Sequence, residues 1–303
     1  MLARTSRPPD RRWSRFSLNS AAQRLNLPLK DLEIYGQDHS PWVQAVLLGV
    51  HEKGIAHRLT TAPPLLVLLK WGVLMPAARI DGGPWRVESA RLLQAMGFDP
   101  PAPEEMAAIR NAWLGVTWRA RHPQRFFAAA SRIRDPHPSA ARRLARQFVR
   151  AFVVCYFFLL LRFVAAAGLQ PDPRDFADQF IYWERRLEDG GSVFLGGPRP
   201  NACDLLLFGM VQCHCSMPSP PLPVLQNDER LGFMRAWISA MHLRFAGYPH
   251  CYSGGYFEPA LRAPQAASMP ERAAFWAGTA LTAALSPITV PIVVFLAFRV
   301  RRR

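Results

Sequence analysis

The chain is poor in lysine, in acidic residues and in cysteine. Its five cysteines are odd in number and contain no C-x-x-C motif, which argues against a disulfide framework and favours small buried side chains in a reducing compartment. The cluster Cys213-His214-Cys215 lacks a second ligand pair at suitable spacing, so we expect no metal. Charged residues make up 19% and apolar residues 50%, which disfavours wholesale disorder.

The positive charge is unevenly distributed. The net charge is +15, and residues 1–30 hold six arginines and one lysine against one acidic residue. This segment lacks a long apolar run, which excludes a secretory signal. We predict a flexible basic arm over 1–31 that lies on anionic lipid, with an organellar transit peptide as the alternative. We expect no nucleic-acid partner.

Residues 32–99 have the pattern of a small α/β unit. Leu32–Tyr35 is a short apolar strand, and Ser40 with Pro41 supplies a preferred N-cap and first helical residue. Apolar residues then recur at helical spacing up to a stop at Gly54; they are Val43, Val46, Leu47 and Val50. A Met-Pro step at 75–76, a hairpin signal at 81–83 and a helix start at 88–89 follow.

These features in this order resemble the N-terminal half of the glutathione transferase superfamily, in its serine-type, bacterial form. The resemblance implies a thioredoxin-like N-terminal domain joined to an all-α C-terminal domain. It implies that Pro76 is cis and that the backbone of Met75 pairs with the cysteinyl backbone of glutathione. It further implies that Glu88 and Ser89 hold the γ-glutamyl end, and that Ser40 stabilises the glutathione thiolate.

The chain from 104 to 262 is expected to be helical, after a proline-rich linker over 99–103. Asp172 with Pro173 predicts the start of a helix that ends at 190–191. Its buried stripe is Phe176, Phe180, Trp183 and Leu187. Further on, Asn201 is expected to cap an apolar helix, with Asp204 reaching back to it. A capping residue of this kind after a Phe-Leu-x-Gly turn resembles the same superfamily, although Asn201 stands where a hydroxyl is usual.

A long apolar segment covers 273–298, with 26 residues and no charge. As a helix it would extend about 39 Å, which is enough to span a hydrocarbon core of about 30 Å. We predict a membrane anchor, kinked near Pro287 and Pro291. The arginines after it prefer the cytoplasmic side. A single span cannot place both these arginines and the folded domain in the cytoplasm. Either the tail crosses the membrane against that preference, or the proline-containing segment re-enters the membrane and returns. A second apolar run, 152–161, is interpreted as a core or interfacial helix.

The candidate catalytic group is Ser40, which either donates to the bound sulfur or merely caps its helix. Tyr35, at the end of the first strand, is an alternative activator. Serine in this position favours conjugation or peroxide reduction over disulfide exchange. One departure from the superfamily is the apolar segment 61–72, in which only Lys70 can offer a polar contact. Trp113, Trp118, Phe126 and Phe127 could line an acceptor site but fit a core equally well.

Two functions follow as hypotheses. The first is a membrane-anchored, glutathione-binding transferase with glutathione as co-substrate and a hydrophobic electrophile or peroxide as acceptor. Its folded domain would face the cytoplasm, and it could form a homodimer. The second is a non-catalytic adaptor of the same fold, as in tail-anchored proteins that resemble metaxins.

Overall fold

The computed structural model describes residues 31–301 apart from 136, 171 and 263, with side chains as far as 292. The expected basic arm, except for Asp31, lies outside the described residues. The first part of the described chain is an α/β unit. Its elements are β1 (Leu32–Tyr35), α1 (Pro41–Glu52), β2 (His57–Thr60), α2 (Leu65–Trp71), β3 (Ala77–Ile80), β4 (Arg86–Val87) and α3 (Ser89–Ala95).

The four strands form one sheet in the order β2-β1-β3-β4. Strand β2 is parallel to β1, whereas β3 is antiparallel to both β1 and β4. A parallel βαβ half followed by an antiparallel ββα half is the thioredoxin-like arrangement that the sequence predicts. The hairpin between β3 and β4 falls at the expected glycines, since Gly82 has a φ of +69°.

Helix α1 forms where the apolar period predicts it. Pro41 is its first residue, and the chain leaves the helix through Gly54, whose φ is +62°. The apolar face is removed from water, and all four stripe residues are at most 1% exposed. Burying side chains of this size stabilises a helix by about 1.5–3 kcal/mol each.

In the rest of the described chain the regular elements are helices, joined by loops that contain two isolated bridges. Eight helices follow: α4 (Pro103–Asn111), α5 (Trp118–Arg121), α6 (Pro123–Arg132), α7 (Ala140–Ala166), α8 (Asp178–Gly190), α9 (Ala202–Ser216), α10 (Pro221–Asn227) and α11 (Gly232–Arg244). Short 3₁₀ turns lie at Glu229–Leu231 and Tyr252–Gly255, and the last helix is α12 (Met269–Arg301).

Helix α9 lies against α1 and joins the two units in one hydrophobic core. Gly209 makes this approach possible, because a Cβ there would lie 2.4 Å from the carbonyl oxygen of Pro41. The expected cap is confirmed: the Asn201 side chain accepts from the Asp204 N–H at 3.1 Å, and Asp204 accepts from the Asn201 N–H at 2.9 Å. Helix α9 is buried along nearly its whole length, as its composition predicts.

The predicted helix start at Asp172 is wrong. Helix α8 begins at Asp178 instead, although it ends at Gly190 as expected. Asp172 has tertiary partners: it accepts a hydrogen bond from Thr117 Oγ1 at 2.8 Å and forms an ion pair with Arg121. These tertiary contacts compete with helix capping for the Asp172 carboxylate.

Helix α7 contains the 152–161 run and belongs to the body of the protein. Helices α1 and α8, which precede and follow it, share one core, so α7 cannot cross a membrane without separating them. Its inner face packs with Phe126 and Phe275. Its far end is apolar and exposed, with Leu159, Leu160 and Phe163 at 41–61% exposure. The buried inner face agrees with the prediction of a core helix, and the interfacial alternative stays a prediction.

Helix α12 contains the 273–298 segment and runs parallel to α7. Glu271 pairs with Arg143 at the start, and Gly278 is packed against Ala151 about two turns further along both helices. The helix is continuous through Pro287 and Pro291. The re-entrant alternative is therefore wrong, because the chain does not turn back at these prolines.

Candidate functional site

The sheet register brings the predicted glutathione residues to one edge. Tyr35 is paired with Ala77, and Ala77 with Val87. Continuing each strand by one residue places Gly36, Pro76 and Glu88 side by side. Residues far apart in sequence thus converge where β1 and β4 end and β3 begins.

Ser40 lies at this edge, in the N-cap position of α1. Its backbone is extended, with φ −73° and ψ 129°, as an N-cap requires. Its hydroxyl nevertheless makes no capping bond, and no described residue hydrogen-bonds to it. The backbone alone is engaged, since the Ser40 N–H donates to Gln37 O at 2.9 Å. The half-buried hydroxyl is therefore available beside the positive end of α1.

The Met75–Pro76 peptide is cis, as the resemblance implies. The loop between β1 and α1 contacts this peptide directly, because the Gln37 N–H donates to Met75 Sδ at 3.4 Å. Within the described chain, no backbone hydrogen bond uses the Met75 N–H or C=O. Next to a sheet, such free groups can pair with an extended peptide-like ligand.

Glu88 and Ser89 lie on the other side of Pro76, at the start of α3. Glu88 has a φ of +82° and a ψ of 112°, a conformation that costs a non-glycine residue about 1–3 kcal/mol. Its half-exposed carboxylate forms an ion pair with Arg91 at 2.9 Å. Ser89 is 4% exposed, and its hydroxyl has no hydrogen-bond partner among the described residues. Helix α3 has only seven residues, so its dipole adds little to ligand binding beside these side chains.

The side chain of the alternative activator is buried in the core and is not exposed at this edge. Tyr35 is fully buried and packs with Val67 and Ala77, and no described residue hydrogen-bonds to its hydroxyl. Burial raises the pKa of Tyr35 well above its ordinary value. A buried, neutral phenol within the core cannot stabilise a thiolate in a solvent-accessible site.

Helix α2, which follows β2, exposes an apolar surface. Leu65, Leu66 and Leu69 are 60–69% exposed. Lys70 lies over the ring of Trp71, with Nζ 4.4 Å from the ring centre. The structure therefore retains the departure from the superfamily that the sequence indicates. Of the aromatic residues considered for an acceptor site, Phe126 and Phe127 belong instead to the cluster between α6, α7 and α12.

Sequence reasoning missed a buried polar network directly before Ser40. Asp38 is 3% exposed and accepts from His250 Nδ1 at 3.0 Å and from the Tyr252 hydroxyl at 2.7 Å. Arg150 of α7 is 1% exposed, and its Nη2 lies 3.7 Å from Asp38 Oδ1. Burial opposes ionisation, but His250 and Arg150 together hold the pKa of Asp38 well below its usual range. No local motif signals partners separated by more than 100 residues.

All five cysteines are buried and free, as predicted. His214 is tied to Ser219 Oγ and to the Ala112 carbonyl, both at 2.9 Å. Among the described residues there is no group of three His, Cys, Asp or Glu side chains placed to hold a metal.

No family model matches the chain, and no curated protein matches it. Solved structures of low similarity do align with it. A theta class glutathione S-transferase from Xanthomonas axonopodis pv. citri, with glutathione bound, is 18% identical over 78% of this chain and 100% of that one, with a TM-score of 0.39. Glutathione transferase E6 from Drosophila melanogaster is 15% identical over 82% and 97%, with a TM-score of 0.42. Identities and scores of this size carry no function across to this chain.

Proposed function

We propose that the chain is a member of the glutathione transferase superfamily that binds glutathione at the sheet edge and activates its thiol. One observation carries this proposal. Polar groups without protein partners among the described residues converge on one short stretch of the edge: the Ser40 hydroxyl, the Met75 N–H and C=O, and the Ser89 hydroxyl. Glutathione offers a thiolate, an amide backbone and a γ-glutamyl group to match them.

Each residue has a distinct part in the proposal. The backbone of Met75 pairs with the cysteinyl unit of the ligand. The carboxylate of Glu88 meets the γ-glutamyl ammonium, while the hydroxyl of Ser89 donates to the adjacent carboxylate. The hydroxyl of Ser40 and the free N–H groups of α1 then face the sulfur. They lower the thiol pKa from about 8.5 and leave a thiolate near neutral pH.

The proposed reaction is attack of this thiolate on an electrophile or a peroxide. Ser40 keeps its own proton and donates a hydrogen bond, and the thiol proton passes to water. In conjugation the sulfur forms a new S–C bond with the acceptor while the acceptor's leaving group departs with the electrons of the bond that breaks, or while an activated C=C π bond opens and the adjacent carbon takes a proton from water. In peroxide reduction the sulfur attacks one peroxide oxygen, the O–O bond breaks, and the alkoxide leaves and takes a proton from water. A second glutathione thiol then displaces water from the resulting sulfenic acid and gives glutathione disulfide. The strained backbone of Glu88 supports a ligand-binding edge, since such conformations persist where function requires them.

The test is glutathione binding to the full chain, measured by calorimetry in a non-ionic detergent. We expect a dissociation constant in the micromolar to millimolar range, about −4 to −8 kcal/mol. Glu88→Ala should weaken binding more than tenfold, because the ammonium loses its only charged partner in the proposed pose. Ser40→Ala should spare affinity and raise the pKa of the bound thiol, measured by thiolate absorbance.

Glu104→Ala is the matched control, because Glu104 is an exposed acid in the first turn of α4. It should leave affinity unchanged. Ser40→Ala should also leave the thermal midpoint unchanged, because the hydroxyl caps nothing. A lowered midpoint in Ser40→Ala would indicate that Ser40 has a structural role instead. If wild type produced no heat of binding at millimolar glutathione, the binding site would be refuted.

A second candidate is the non-catalytic adaptor, and α2 supports it. Three leucines on one seven-residue helix are 60–69% exposed, which is more apolar surface than a short surface helix normally leaves in water. The calorimetry separates the two candidates, because an adaptor does not need to bind glutathione.

We also propose that α12 anchors the folded domain to a membrane, with that domain on the cytoplasmic side. Both α7 and α12 are long and apolar enough to cross a bilayer. Only 17% of an apolar 18-residue stretch of α12 is buried in the protein, against 33% of such a stretch of α7. Helix α12 has 33 residues, about 50 Å, which exceeds a hydrocarbon core of about 30 Å. Since Phe275 is fully buried against α7, the anchor is fixed to the body without a flexible linker.

The double variant Ile288→Arg/Ile292→Arg tests the anchor. Both side chains are more than half exposed, so the packing of α12 on α7 is untouched. Each arginine costs about 2.5–3.5 kcal/mol near the centre of a bilayer. The wild-type chain should remain with carbonate-washed membranes, and most of the double variant should become soluble. Val193→Arg, which changes an exposed apolar residue outside α12, should stay membrane-bound. Equal retention of all three proteins would contradict the anchor.

A further inference from the structure

The exposed apolar surface of the described chain is concentrated on three elements. These are α2, the second half of α7 and α12, which carry most of the large apolar side chains that the described residues leave exposed. Leu66 of α2 is 69% exposed, Leu160 of α7 is 52% exposed and Ile288 of α12 is 66% exposed. Scattered residues of this kind are ordinary on a protein surface, whereas a continuous apolar patch marks an interaction site. The exposed apolar residues within 65–74, 159–169 and 276–292 are here named the three-helix surface.

The three elements are neighbours, so their apolar residues belong to one surface. Helix α12 lies against both α7 and α2. It runs parallel to α7, with Gly278 packed against Ala151. Because parallel helices rise by the same amount per residue, this register places Leu160 about level with Ile288. The apolar surface of the proposed anchor therefore continues without a break onto the folded domain.

The charged side chains exposed on these elements are all basic. Residues 61–75 contain Lys70 and no acid, and residues 139–169 contain five arginines and no acid. The acid of α12, Glu271, is buried in an ion pair. Lys70 and Arg162 are exposed, and long basic side chains can lie along lipid with their charge among the headgroups. An apolar surface with positive charges only is complementary to a bilayer that contains anionic lipid.

A soluble protein is the competing occupant, and the position of α12 argues against it. A helix that enters a bilayer is surrounded by lipid at that level. Since Leu160 and Ile288 lie about level on adjacent helices, a soluble partner seated on Leu160 would have to take the place of this lipid. The anchor and the end of α7 are therefore exposed to the same surroundings.

We propose that α2 and the second half of α7 bind an anionic lipid bilayer directly, beside α12. Their exposed apolar side chains enter the acyl region of the near leaflet, and Lys70 and Arg162 reach the headgroup phosphates. The proposal rests on the proposed anchor, because α12 sets this surface against the lipid. It also places the sheet-edge site at the membrane surface, since Leu74, 56% exposed, directly precedes Met75.

The test is quenching of a fluorescent NBD group on the full chain, reconstituted in vesicles of phosphatidylcholine and phosphatidylglycerol. The group is attached at Leu66→Cys, Leu160→Cys or Ile288→Cys. Wild type serves as the labelling blank, because all five native cysteines are buried. Leu243→Cys on α11 is the matched control, since Leu243 is 69% exposed but lies outside the three-helix surface. Doxyl-labelled lipid and aqueous iodide are the two quenchers.

Doxyl lipid should quench the probes at Leu66, Leu160 and Ile288 at least about twofold more than iodide does, and the order should reverse at Leu243. Lipid quenching at Ile288 but not at Leu66 or Leu160 would overturn this proposal and leave the anchor standing. Without lipid quenching at Ile288, the anchor fails and this proposal fails with it. Protection of Leu66 from both quenchers would mean that a protein, such as a second copy of this chain, covers α2, and would also overturn the proposal.

An acidic substitution tests the contact of α2 separately. Leu69→Glu places a negative charge against the anionic headgroups, so it should lower lipid quenching of the Leu66 probe at least about twofold. The probe at Ile288 should be unaffected. Leu243→Glu is the control and should change neither probe. Leu69 and Leu243 are both more than half exposed, so both variants should keep the thermal midpoint of wild type. Unchanged quenching of the Leu66 probe in Leu69→Glu would contradict the proposed contact.

Discussion

Replacement of Arg150 by methionine is expected to destabilise the folded chain by about 3–5 kcal/mol. Arg150 is 1% exposed, and its guanidinium neutralises the buried Asp38 carboxylate. It also donates to Gln37 Oε1 at 3.0 Å and to the Ile133 carbonyl, which ties α7 to the β1–α1 loop. Methionine fills a similar volume but leaves Asp38 as a buried charge without its arginine and Gln37 Oε1 without a donor, whereas the Ile133 carbonyl keeps a hydrogen bond from Gln147 Nε2.

The measurement is the thermal midpoint at pH 7 in a non-ionic detergent, which should fall by on the order of 10 °C. Arg142→Met, on the same helix but exposed, should change the stability by less than about 0.5 kcal/mol. The double variant Asp38→Asn/Arg150→Met should recover at least half of the loss, because neither charge remains. If Arg150→Met and Arg142→Met had the same thermal midpoint, the network would have no role in stability.

The fold could be predicted where local chemistry and burial agree. In α1 the proline start, the apolar period and the glycine stop all indicate the same helix, and α1 has these bounds. In α9 the Asn201–Asp204 pair marks the helix start, and the apolar residues on nearly every side of the helix indicate that it is buried. Local signals of this kind predict the folded structure correctly when tertiary contacts do not compete for the same side chains.

The start of α8 shows the opposite case. Asp172 with Pro173 is a strong local signal, but its carboxylate is held by Thr117 and Arg121. Thr117 lies 55 residues away in sequence, so nothing near Asp172 reveals the contact. The error follows from a tertiary interaction that overrides a helix preference of about 1 kcal/mol.

Some residues of the candidate site could be predicted from the sequence, and others could not. The sheet-edge residues were predictable because each marks a strand end or a helix start, and strand register brings those ends together. The Asp38–Arg150–His250 network was not, because its members come from a loop, the middle of a long helix and a segment more than 200 residues further on. Arg150 appears in the sequence only as one of ten arginines over 110–150.

Mild acid is expected to destabilise the protein by about 4 kcal/mol between pH 7 and pH 5. Burial, with nearby arginines, lowers the pKa of both His39 and His214 to about 3, from an ordinary value of 6.5. The unfolded chain therefore takes up a proton at each histidine below pH 6.5, and the folded chain does not until about pH 3. Stability is fully present above pH 6.5 and falls by about 1.4 kcal/mol per pH unit for each histidine.

Replacing one of these histidines should remove half of the effect. His214→Gln can keep a donor toward the Ala112 carbonyl, and it should reduce the loss between pH 7 and pH 5 to about 2 kcal/mol. His122→Gln, at an exposed position, should leave the loss unchanged. The quantity to compare is the shift of the thermal midpoint between the two pH values, on the order of 10 °C for wild type. A wild-type midpoint that stayed constant down to pH 5 would mean that neither histidine is buried in its neutral form.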